Sequence, residues 1–476
     1  MMRSLFFVLF VLAGCIGGNP VQAKIKLNTI FGDNMVLQQQ SDVLFRGTGS
    51  ANKKIEAIPS WNKRKVYAQS DSDGKWELKI AAPEAGGPYS ITFSDGEVLT
   101  LNNILIGEVW FCAGQSNMDM PVKGYRGQPV AGSQPYIVSA DAGRPLRLFT
   151  VKNIWSTTPC EDGVEGEWLE SDSRNVANFS ATAYFFGELL QRSIDVPVGL
   201  IQCAWGASKI EAWMDRSTLN QFPLVELPDV NQTEFGWPAG TPTLLWNAMV
   251  NPWKGMPVKG VLWYQGEANT PDPIIYKKLF PEMINQWRSF FNSPELPFYY
   301  VQIAPWQSGG SDQTDWALFR ECQLELSKQL TNVGMVTSGD AGSEKFIHPP
   351  HKIKIGERLA YWALAKTYGR EGFMFSGPIY KQHRVNKDNR LEVEFEFGED
   401  GLVPENEPVL GFEMAGEDGV FYRANAEIIN GSSFVQVWSD EVAHPREVRY
   451  CFRNYIEGNL RNNADIPASP FRFFIK

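Results

Sequence analysis

Residues 114–118 place a serine in a setting suited to nucleophilic catalysis. The segment reads Gly-Gln-Ser-Asn-Met and follows the apolar, strand-like residues 108–111. A serine on a tight turn at a strand end faces a crevice, where backbone N–H groups can bind the oxyanion that forms when a carbonyl is attacked. The alternative is a solvated turn in which Ser116 or Asn117 caps the next helix. Ser116 is therefore a candidate nucleophile.

A serine nucleophile needs a general base, and the histidines of this chain are His348, His351, His383 and His444. The last two lie in polar sequence near the C-terminus and are interpreted as solvated side chains. His348 is the better of the other two candidates, because Pro349 and Pro350 hold the following chain extended. The same prolines prevent a helical pairing with His351, and no third ligand is evident, so we predict no metal site.

Two further segments follow apolar runs and could complete such a site. Residues 205–213 read Trp-Gly-Ala-Ser-Lys-Ile-Glu-Ala-Trp and contain Gly206, whose N–H can approach a ligand closely. Residues 263–269 read Trp-Tyr-Gln-Gly-Glu-Ala-Asn and offer two amides and a carboxylate. Together the four segments supply a nucleophile, a base, backbone donors and side-chain donors, which are the parts of an acyl-transfer site.

These segments must be positioned by strands whose carboxyl ends meet. Strand-like runs alternate with helical apolar spacing between residues 106 and 370, which predicts an α/β unit with a parallel sheet and functional loops beyond the strand ends. The sequence on either side reads as short strands broken by Gly, Asn and Pro. We therefore predict an N-terminal β-sandwich domain at 24–105, a catalytic α/β domain at 106–370 and a C-terminal β domain at 371–476.

The composition indicates a folded, acidic protein. Its 476 residues suffice for two or three domains, and 43% of them are hydrophobic. The formal net charge of -10 and the pI near 5.2 argue against a nucleic-acid partner, which would require a basic face.

Residues 1–23 have the features of a leader peptide. A short apolar run at 5–13 is followed by Val21-Gln22-Ala23, a small-residue cleavage site, and the run is too short to span a bilayer. An alternative is a lipobox ending at Cys15, which would then carry a lipid anchor. Both alternatives predict a secreted or periplasmic protein, or a lipoprotein at the outer surface of a membrane. The other cysteines have neither metal-type spacing nor an even number, so we predict no disulfide framework.

Four sequence blocks, in order, resemble those of a known family. They are Gly-Gln-Ser-Asn at 114–117, Trp-Gly-Ala-Ser-Lys-Ile-Glu-Ala-Trp at 205–213, Trp-Tyr-Gln-Gly-Glu at 263–267 and Ile-His-Pro at 347–349. The set is similar to the sialate O-acetylesterase and acetylxylan-esterase group of the SGNH-type hydrolases. Residues 31–38 resemble the opening of that family and residues 449–471 contain parts of its close, so the resemblance spans nearly all of the chain after the leader.

The resemblance implies an SGNH-like three-layer α/β/α hydrolase domain with N-terminal and C-terminal β-sandwich-like regions. It implies Ser116 as nucleophile, His348 as base, and the Gly206 N–H and Gln265 side chain in the oxyanion hole, with no cofactor. The wider superfamily commonly has an Asp three residues before the histidine, where this chain has Lys345. The group that orients the histidine therefore stays open. The candidates are a backbone carbonyl or one of the side chains Asp340, Glu344 and Glu267.

The implied function is that of a carbohydrate O-acetylesterase, with sialate esters as the first substrate candidate and acetylxylan or another plant glycan as the alternative. The expected substrate contacts are Gln115, Asn117, Trp205 and Trp263. Trp213 and Tyr264 are further candidates for stacking on a pyranose, although each of these aromatic residues could instead belong to the core. Alternatives of other classes are a non-catalytic carbohydrate-binding protein and a structural or adhesive surface protein.

Overall fold

The computed structural model describes residues 25–388 and 390–475. The predicted leader, with Cys15 and the cleavage site after Ala23, lies outside the described residues. Within the described ranges, no helix is long and apolar enough to cross a membrane. The cysteines described there are all unpaired thiols.

The first part of the described chain is a β sandwich, called here the N-terminal β unit. Its strands are β1 Lys26–Leu27, β2 Val36–Gln38, β3 Ser41–Thr48, β4 Lys54–Pro59, β5 Val66–Gln69, β6 Lys75–Ala82, β7 Gly86–Ser94 and β8 Val98–Gly114. One layer is the sheet β1-β3-β6, and the other contains β4, β5, β7 and the start of β8. Side chains of β6 alternate between exposed and buried, as expected for a strand with one face in water. The buried faces meet in an apolar core in which the rings of Phe45 and Phe93 lie 5.4 Å apart.

Strand β8 continues from this unit into the next without a break. Exposed side chains occur only in its first five residues, and every residue from Ile104 to Gly114 is buried. Burial changes along β8 because its second half is a central strand of the α/β sheet, where both faces are covered. The domain boundary predicted between residues 105 and 106 therefore falls inside one strand, and the two units share an 11-stranded sheet.

The α/β unit contains a largely parallel sheet. Its other strands are β9 Leu146–Thr150, β10 Trp168–Glu170, β11 Val198–Ala204, β12 Gly260–Tyr264, β13 Phe298–Val301 and β14 Val333–Val336. The order is β10-β9-β11-β8-β12-β13-β14, with only the edge strand β10 antiparallel to its neighbour. At its carboxyl end β8 is in register with both neighbours, since Gly114 pairs with Ala204 and with Tyr264. The loops that follow these three strands therefore begin side by side.

Helices cover both faces of this sheet. They are α1 Ser116–Asp119, α2 Gln134–Val138, α3 Ser173–Asn178, α4 Ala181–Ile194, α5 Arg216–Leu219, α6 Pro273–Phe290, α7 Asp315–Gln329 and α8 Lys352–Trp362. Helices α4 and α8 pack on the face that presents Trp110, and α6 and α7 pack on the face that presents Phe111. Side-chain caps mark the starts of α3, α4, α5 and α6, as where Ser180 accepts a hydrogen bond from the Ala183 N–H at the start of α4. The predicted α/β organisation is confirmed as a mixed α/β fold.

The C-terminal β unit is made of strands β15 to β24. Their bounds are β15 Ile379–Val385, β16 Leu391–Glu396, β17 Leu402–Val403, β18 Phe412–Ala415, β19 Phe421–Arg423, β20 Asn425–Ile428, β21 Phe434–Trp438, β22 Glu447–Tyr450, β23 Arg461–Asn462 and β24 Phe471–Phe474. Two four-stranded sheets, β15-β16-β21-β20 and β19-β18-β22-β24, contribute side chains to a common apolar core. The predicted β region at the end of the chain is thus sandwich-like.

Buried polar contacts attach the C-terminal β unit to the α/β unit. The guanidinium of Arg320 in α7 donates hydrogen bonds to the backbone carbonyls of Cys451, Arg453 and Asn454. Directly after β13, the Gln302 amide donates to Ser469 Oγ at 3.1 Å. Such contacts are costly to break when buried, so they hold the two units together.

Candidate active site

Ser116 lies at a sharp turn between β8 and α1. Gly114 ends the strand with a φ of +146°, and a Cβ at this position would lie 2.1 Å from the Tyr264 carbonyl oxygen. The same carbonyl accepts a hydrogen bond from the Gln115 N–H at 3.0 Å. Only a glycine allows this close approach between the ends of β8 and β12. The turn leaves Ser116 partly exposed at the carboxyl edge of the sheet.

The structure brings Ser116 and His348 together. The histidine lies in the loop between β14 and α8, and its Nε2 is 2.9 Å from Ser116 Oγ. Burial, together with the nearby Lys352 ammonium, lowers the pKa of His348 to about 4. The imidazole is therefore neutral at pH 7 and can accept the serine proton.

The other ring nitrogen of His348 contacts a residue that the sequence analysis did not consider. Gln128 Oε1 accepts a hydrogen bond from His348 Nδ1–H at 2.9 Å. This contact fixes the tautomer in which Nε2 is the acceptor. Gln128 belongs to the loop between α1 and α2, and the Ala131 N–H of that loop donates to the Pro350 carbonyl at 2.9 Å. The sequence indicated the need for an acceptor, for which a backbone carbonyl or an acid was expected, but no local signal marked the amide of Gln128.

The carboxylates proposed to orient the histidine have other partners. Asp340 makes a bidentate ion pair with Arg358, with N···O distances of 2.7 and 2.9 Å, and also contacts Lys354. These cations hold the pKa of Asp340 at about 2, below its ordinary value. Glu344 has an exposed side chain that, like Asp340, makes no contact with His348 among the described residues. Neither acid is the partner of the imidazole.

Glu267 belongs to a buried polar cluster beside the catalytic pair. Its Oε1 accepts a hydrogen bond from Asn117 Nδ2 at 2.5 Å, and Asn117 Oδ1 accepts one from Lys352 Nζ at 2.5 Å. The Asn117 amide also donates to the carbonyl of Ile347, the residue before His348. Burial raises the pKa of Glu267 and lowers that of Lys352 to about 7. The cluster ties the serine turn to the histidine loop without contacting the imidazole.

Two backbone amides are available for an oxyanion. A Cβ built on Gly206 would lie 3.6 Å from Ser116 Cβ, so the loop after β11 passes beside the nucleophile. Among the described residues, neither the Gly206 N–H nor the Ser116 N–H has a hydrogen-bond acceptor. Free backbone N–H groups beside a nucleophile are of the kind that can bind an oxyanion.

The structure corrects the expectation for Gln265. This side chain is fully buried, and its amide nitrogen donates to the Ser208 carbonyl at 3.0 Å and to Asn269 Oδ1 at 2.7 Å. Both amide hydrogens thus already have acceptors, and none is left for an oxyanion. The Gln265 amide instead holds the loops after β11 and β12 together.

Most of the residues expected to bind substrate are buried structural groups. Gln115 accepts hydrogen bonds from the N–H groups of Gly266 and Ala268, and Asn117 belongs to the buried cluster described above. Trp263 lies in the core, where its ring packs against those of Trp213 and Trp287. Trp213 and Tyr264 are likewise inaccessible. Of the aromatic residues expected to stack on a sugar, only Trp205 is partly exposed.

The exposed aromatic side chains near these loops are different ones. Phe346, two residues before His348, is 44% exposed, and Trp237 is 46% exposed. Lys209 Nζ lies 5.5 Å from the centre of the Trp237 ring, and the Lys209 N–H donates to the Ala239 carbonyl. Trp237 therefore lies beside the loop that contains Gly206. Its separation from every motif in sequence explains why it was missed.

Comparison with known proteins identifies the family to which the chain belongs. Residues 106–365 match the family described as carbohydrate esterase, sialic acid-specific acetylesterase. The sialate O-acetylesterase of Mus musculus is 26% identical over 385 residues, covering 69% of this chain and 70% of that protein. The sialate O-acetylesterase of Rattus norvegicus is 26% identical over 421 residues, with 75% and 76% covered.

A solved structure is similar over almost the whole chain. It is a carbohydrate acetylesterase from Xanthomonas citri with a TM-score of 0.84 and 33% identity, covering 94% of this chain and 99% of that one. The resemblance found in the sequence is thereby confirmed. The chain belongs to the carbohydrate esterase family of sialic acid-specific acetylesterases.

Proposed function

We propose that this protein hydrolyses O-acetyl esters of carbohydrates in an SGNH-type α/β hydrolase unit, with Ser116 as nucleophile and His348 as general base. The observation that carries the proposal is the 2.9 Å contact between Ser116 Oγ and an imidazole nitrogen that is unprotonated at pH 7. Three of the motif loops follow the parallel strands β8, β11 and β12, and the fourth follows β14. This is where α/β folds bind ligands.

The reaction proceeds by acyl transfer through the serine. Ser116 Oγ attacks the acetyl carbonyl carbon while His348 Nε2 takes the hydroxyl proton, and the N–H groups of Ser116 and Gly206 bind the oxyanion. The imidazolium then gives its proton to the departing sugar oxygen. In the second half of the reaction, His348 takes a proton from water as the water attacks the acetyl-serine carbonyl. The imidazolium returns that proton to Ser116 Oγ as acetate leaves. Each oxyanion donor contributes on the order of 3 kcal/mol to the transition state. The base contributes a factor of ~10²–10⁴ in rate.

The leading substrate candidate is an O-acetylated sialic acid. The support is the name of the family together with Lys209, a cation that has no carboxylate partner among the described residues and lies beside the exposed Trp237. An ammonium beside an aromatic face suits a sugar that carries a carboxylate. Acetylxylan or another plant glycan is the second candidate.

The first experiment measures acetate release from an aryl acetate, O-acetylated sialic acid, acetylxylan and acetylated pectin. We expect Ser116→Ala to lower turnover of every substrate by a factor of at least ~10³, because the remaining machinery has no nucleophile. The matched control is Ser72→Ala, which removes an exposed hydroxyl in the N-terminal β unit.

A serine-directed phosphonate distinguishes the esterase from a non-catalytic carbohydrate-binding protein. The esterase is labelled at Ser116, whereas a binding protein without an activated serine stays unlabelled. Substantial turnover by Ser116→Ala, or an unlabelled wild-type protein, would show the assignment to be incorrect.

A further inference from the structure

A large groove lies between the C-terminal β unit and the α/β unit. Its volume is about 630 Å³, and it is lined from the α/β side by residues that include Gln307 and Glu344. From the C-terminal β unit, the lining includes Trp438 and Tyr455. Because both units contribute side chains, neither one forms this groove alone.

The groove begins on the loop that contains the catalytic base. Glu344 lies four positions before His348, and four residues span at most about 14 Å. The exposed Phe346 lies between them. The Gln307 N–H donates to the Glu344 carbonyl at 3.3 Å, which fixes the groove wall to this loop. The part of the groove at Glu344 therefore lies within about 14 Å of the His348 backbone, a distance that a chain of several linked sugars can cover.

Residues next to the groove lining are joined by hydrogen bonds across the unit boundary. The Asn454 amide donates to the Ser308 carbonyl at 2.6 Å, and the Trp306 N–H donates to the Asn454 carbonyl at 3.1 Å. Arg453, which lines the groove, is ion-paired with the buried Glu413. A surface fixed in this way does not need to be ordered when a ligand binds, which favours affinity.

The lining combines aromatic faces with polar side chains. Trp438 and Tyr455 are both partly exposed, and the guanidinium of Arg390 lies 3.9 Å from the centre of the Trp438 ring. That stacked guanidinium, which also donates to Gln436 Oε1, holds the ring in position. Aromatic faces with amide and carboxylate groups beside them suit a sugar, whose apolar ring faces alternate with hydroxyl groups.

The charges in the groove indicate which sugars it accepts. The lining residues Glu344, Glu427 and Glu457 have no cationic partner among the described residues, and Arg423 has no carboxylate partner there. These four side chains, three carboxylates and one guanidinium, carry a formal charge of -2. Such a surface repels a second anionic sugar and admits a neutral one.

From these observations we infer that the groove binds a neutral oligosaccharide chain to which the acetylated sugar is attached. The inference rests on the proposed esterase function, because it concerns the part of the substrate beyond the ester. It makes the C-terminal β unit a determinant of substrate specificity.

The test compares an ester that reaches the groove with one that does not. Wild type and Trp438→Ala are compared on an aryl acetate and on two acetylated oligosaccharides, a neutral chain that ends in O-acetylated sialic acid and an acetylated xylo-oligosaccharide, and the oligosaccharide that the wild type hydrolyses faster is used for the comparison. We expect KM for the oligosaccharide to rise about threefold to tenfold in the variant, as for one lost stacking contact. The ratio of kcat/KM for the oligosaccharide to that for the aryl acetate should fall by the same factor. Tyr67→Ala is the control, because Tyr67 is an exposed aromatic residue on β5 in the N-terminal β unit.

The outcomes separate this inference from the proposed function. An unchanged ratio in Trp438→Ala, with Ser116-dependent hydrolysis of the aryl acetate intact in the wild type, overturns the groove inference alone. Tyr455→Ala gives the same ratio measurement if Trp438→Ala does not fold. Tighter binding of an oligogalacturonide than of a xylo-oligosaccharide to Ser116→Ala, measured by calorimetry, would overturn the neutral-chain assignment.

Discussion

At the scale of single residues, the partner of His348 in the proposed catalytic pair is an amide rather than an acid. Gln128 accepts the Nδ1–H bond of His348, so it orients the ring in the same way that a carboxylate would. A neutral amide does not stabilise the imidazolium as a carboxylate does. Burial of the ring and the nearby Lys352 ammonium also disfavour the imidazolium. The site therefore keeps a histidine that is strongly biased toward its neutral form.

Because His348 is biased toward its neutral form, we expect Gln128→Glu to change the pH profile of kcat/KM relative to that of the wild type. In the wild type, kcat/KM should stay level from pH 7 downward and fall as the pH drops through about 4, where His348 becomes protonated. A carboxylate at position 128 stabilises the imidazolium and raises the pKa of His348. We expect the acid limb of the variant to move to higher pH by about one unit or more. The measurement is the pH dependence of kcat/KM for an aryl acetate.

The matched control is Gln221→Glu, which adds the same charge at an exposed position. Its profile should superimpose on that of the wild type. A limb that stays in place in Gln128→Glu would mean that Gln128 does not act on the imidazole.

At the scale of secondary structure, the site depends on the register of β8 with β11 and β12. Gly114 ends β8 opposite Ala204 and Tyr264, and the loops after these strands carry Ser116, Gly206 and the buried Gln265 amide. A shift of one strand end by an ångström would misplace the nucleophile relative to its donors, which is costly in rate. Strand register, rather than any single hydrogen bond, therefore sets the site geometry.

Gly114→Ala tests this dependence. A Cβ would lie 2.1 Å from the Tyr264 carbonyl oxygen, so the ends of β8 and β12 must separate. We expect kcat to fall by a factor of about 10² or more, and the free energy of unfolding to fall by about 2 kcal/mol or more. Steady-state kinetics and urea unfolding measure the two effects.

Gly32→Ala provides the comparison, because a Cβ there meets no atom within 4 Å. It should leave both quantities close to those of the wild type. Full activity in Gly114→Ala would contradict the role assigned to this strand end.

At the scale of the whole molecule, three sequence regions form one connected body. Strand β8 belongs to both the N-terminal β unit and the α/β unit, and Arg320 connects the α/β unit to the C-terminal β unit. Burial lowers the pKa of Arg320 to about 10, which still leaves the guanidinium charged at pH 7. Among the described residues, no other cationic side chain donates a hydrogen bond to its three carbonyl partners.

Arg320→Leu should destabilise the protein strongly. The substitution leaves the carbonyls of Cys451 and Arg453 without their donor and removes one of two donors to the Asn454 carbonyl, at a cost of about 3 kcal/mol or more. Urea unfolding followed by tryptophan fluorescence measures the change. Arg64→Leu removes an exposed arginine and should change the free energy of unfolding by less than about 0.5 kcal/mol. Equal stability of the two variants would show that Arg320 does not connect the units.

The sequence alone was sufficient for features that depend on local patterns. The apolar runs before the motif segments predicted the strands that became β11 and β12, and the alternation of strands and helices predicted the α/β unit. The four motif blocks predicted the family, which the comparisons confirm. These features can be predicted because side-chain periodicity, turn residues and motif order depend on residues that are close together in the sequence.

The tertiary structure decided which distant residues meet. His348 and Gln128 are 220 positions apart, and no periodicity links them. Asp340 had the right chemistry for the acid, yet its carboxylate is occupied by Arg358 and Lys354. Trp263 had the right chemistry for a sugar platform, yet the packing of α6 on the sheet buries it. Residue type sets what a side chain can do, but only packing determines which partners reach it and whether water or substrate does.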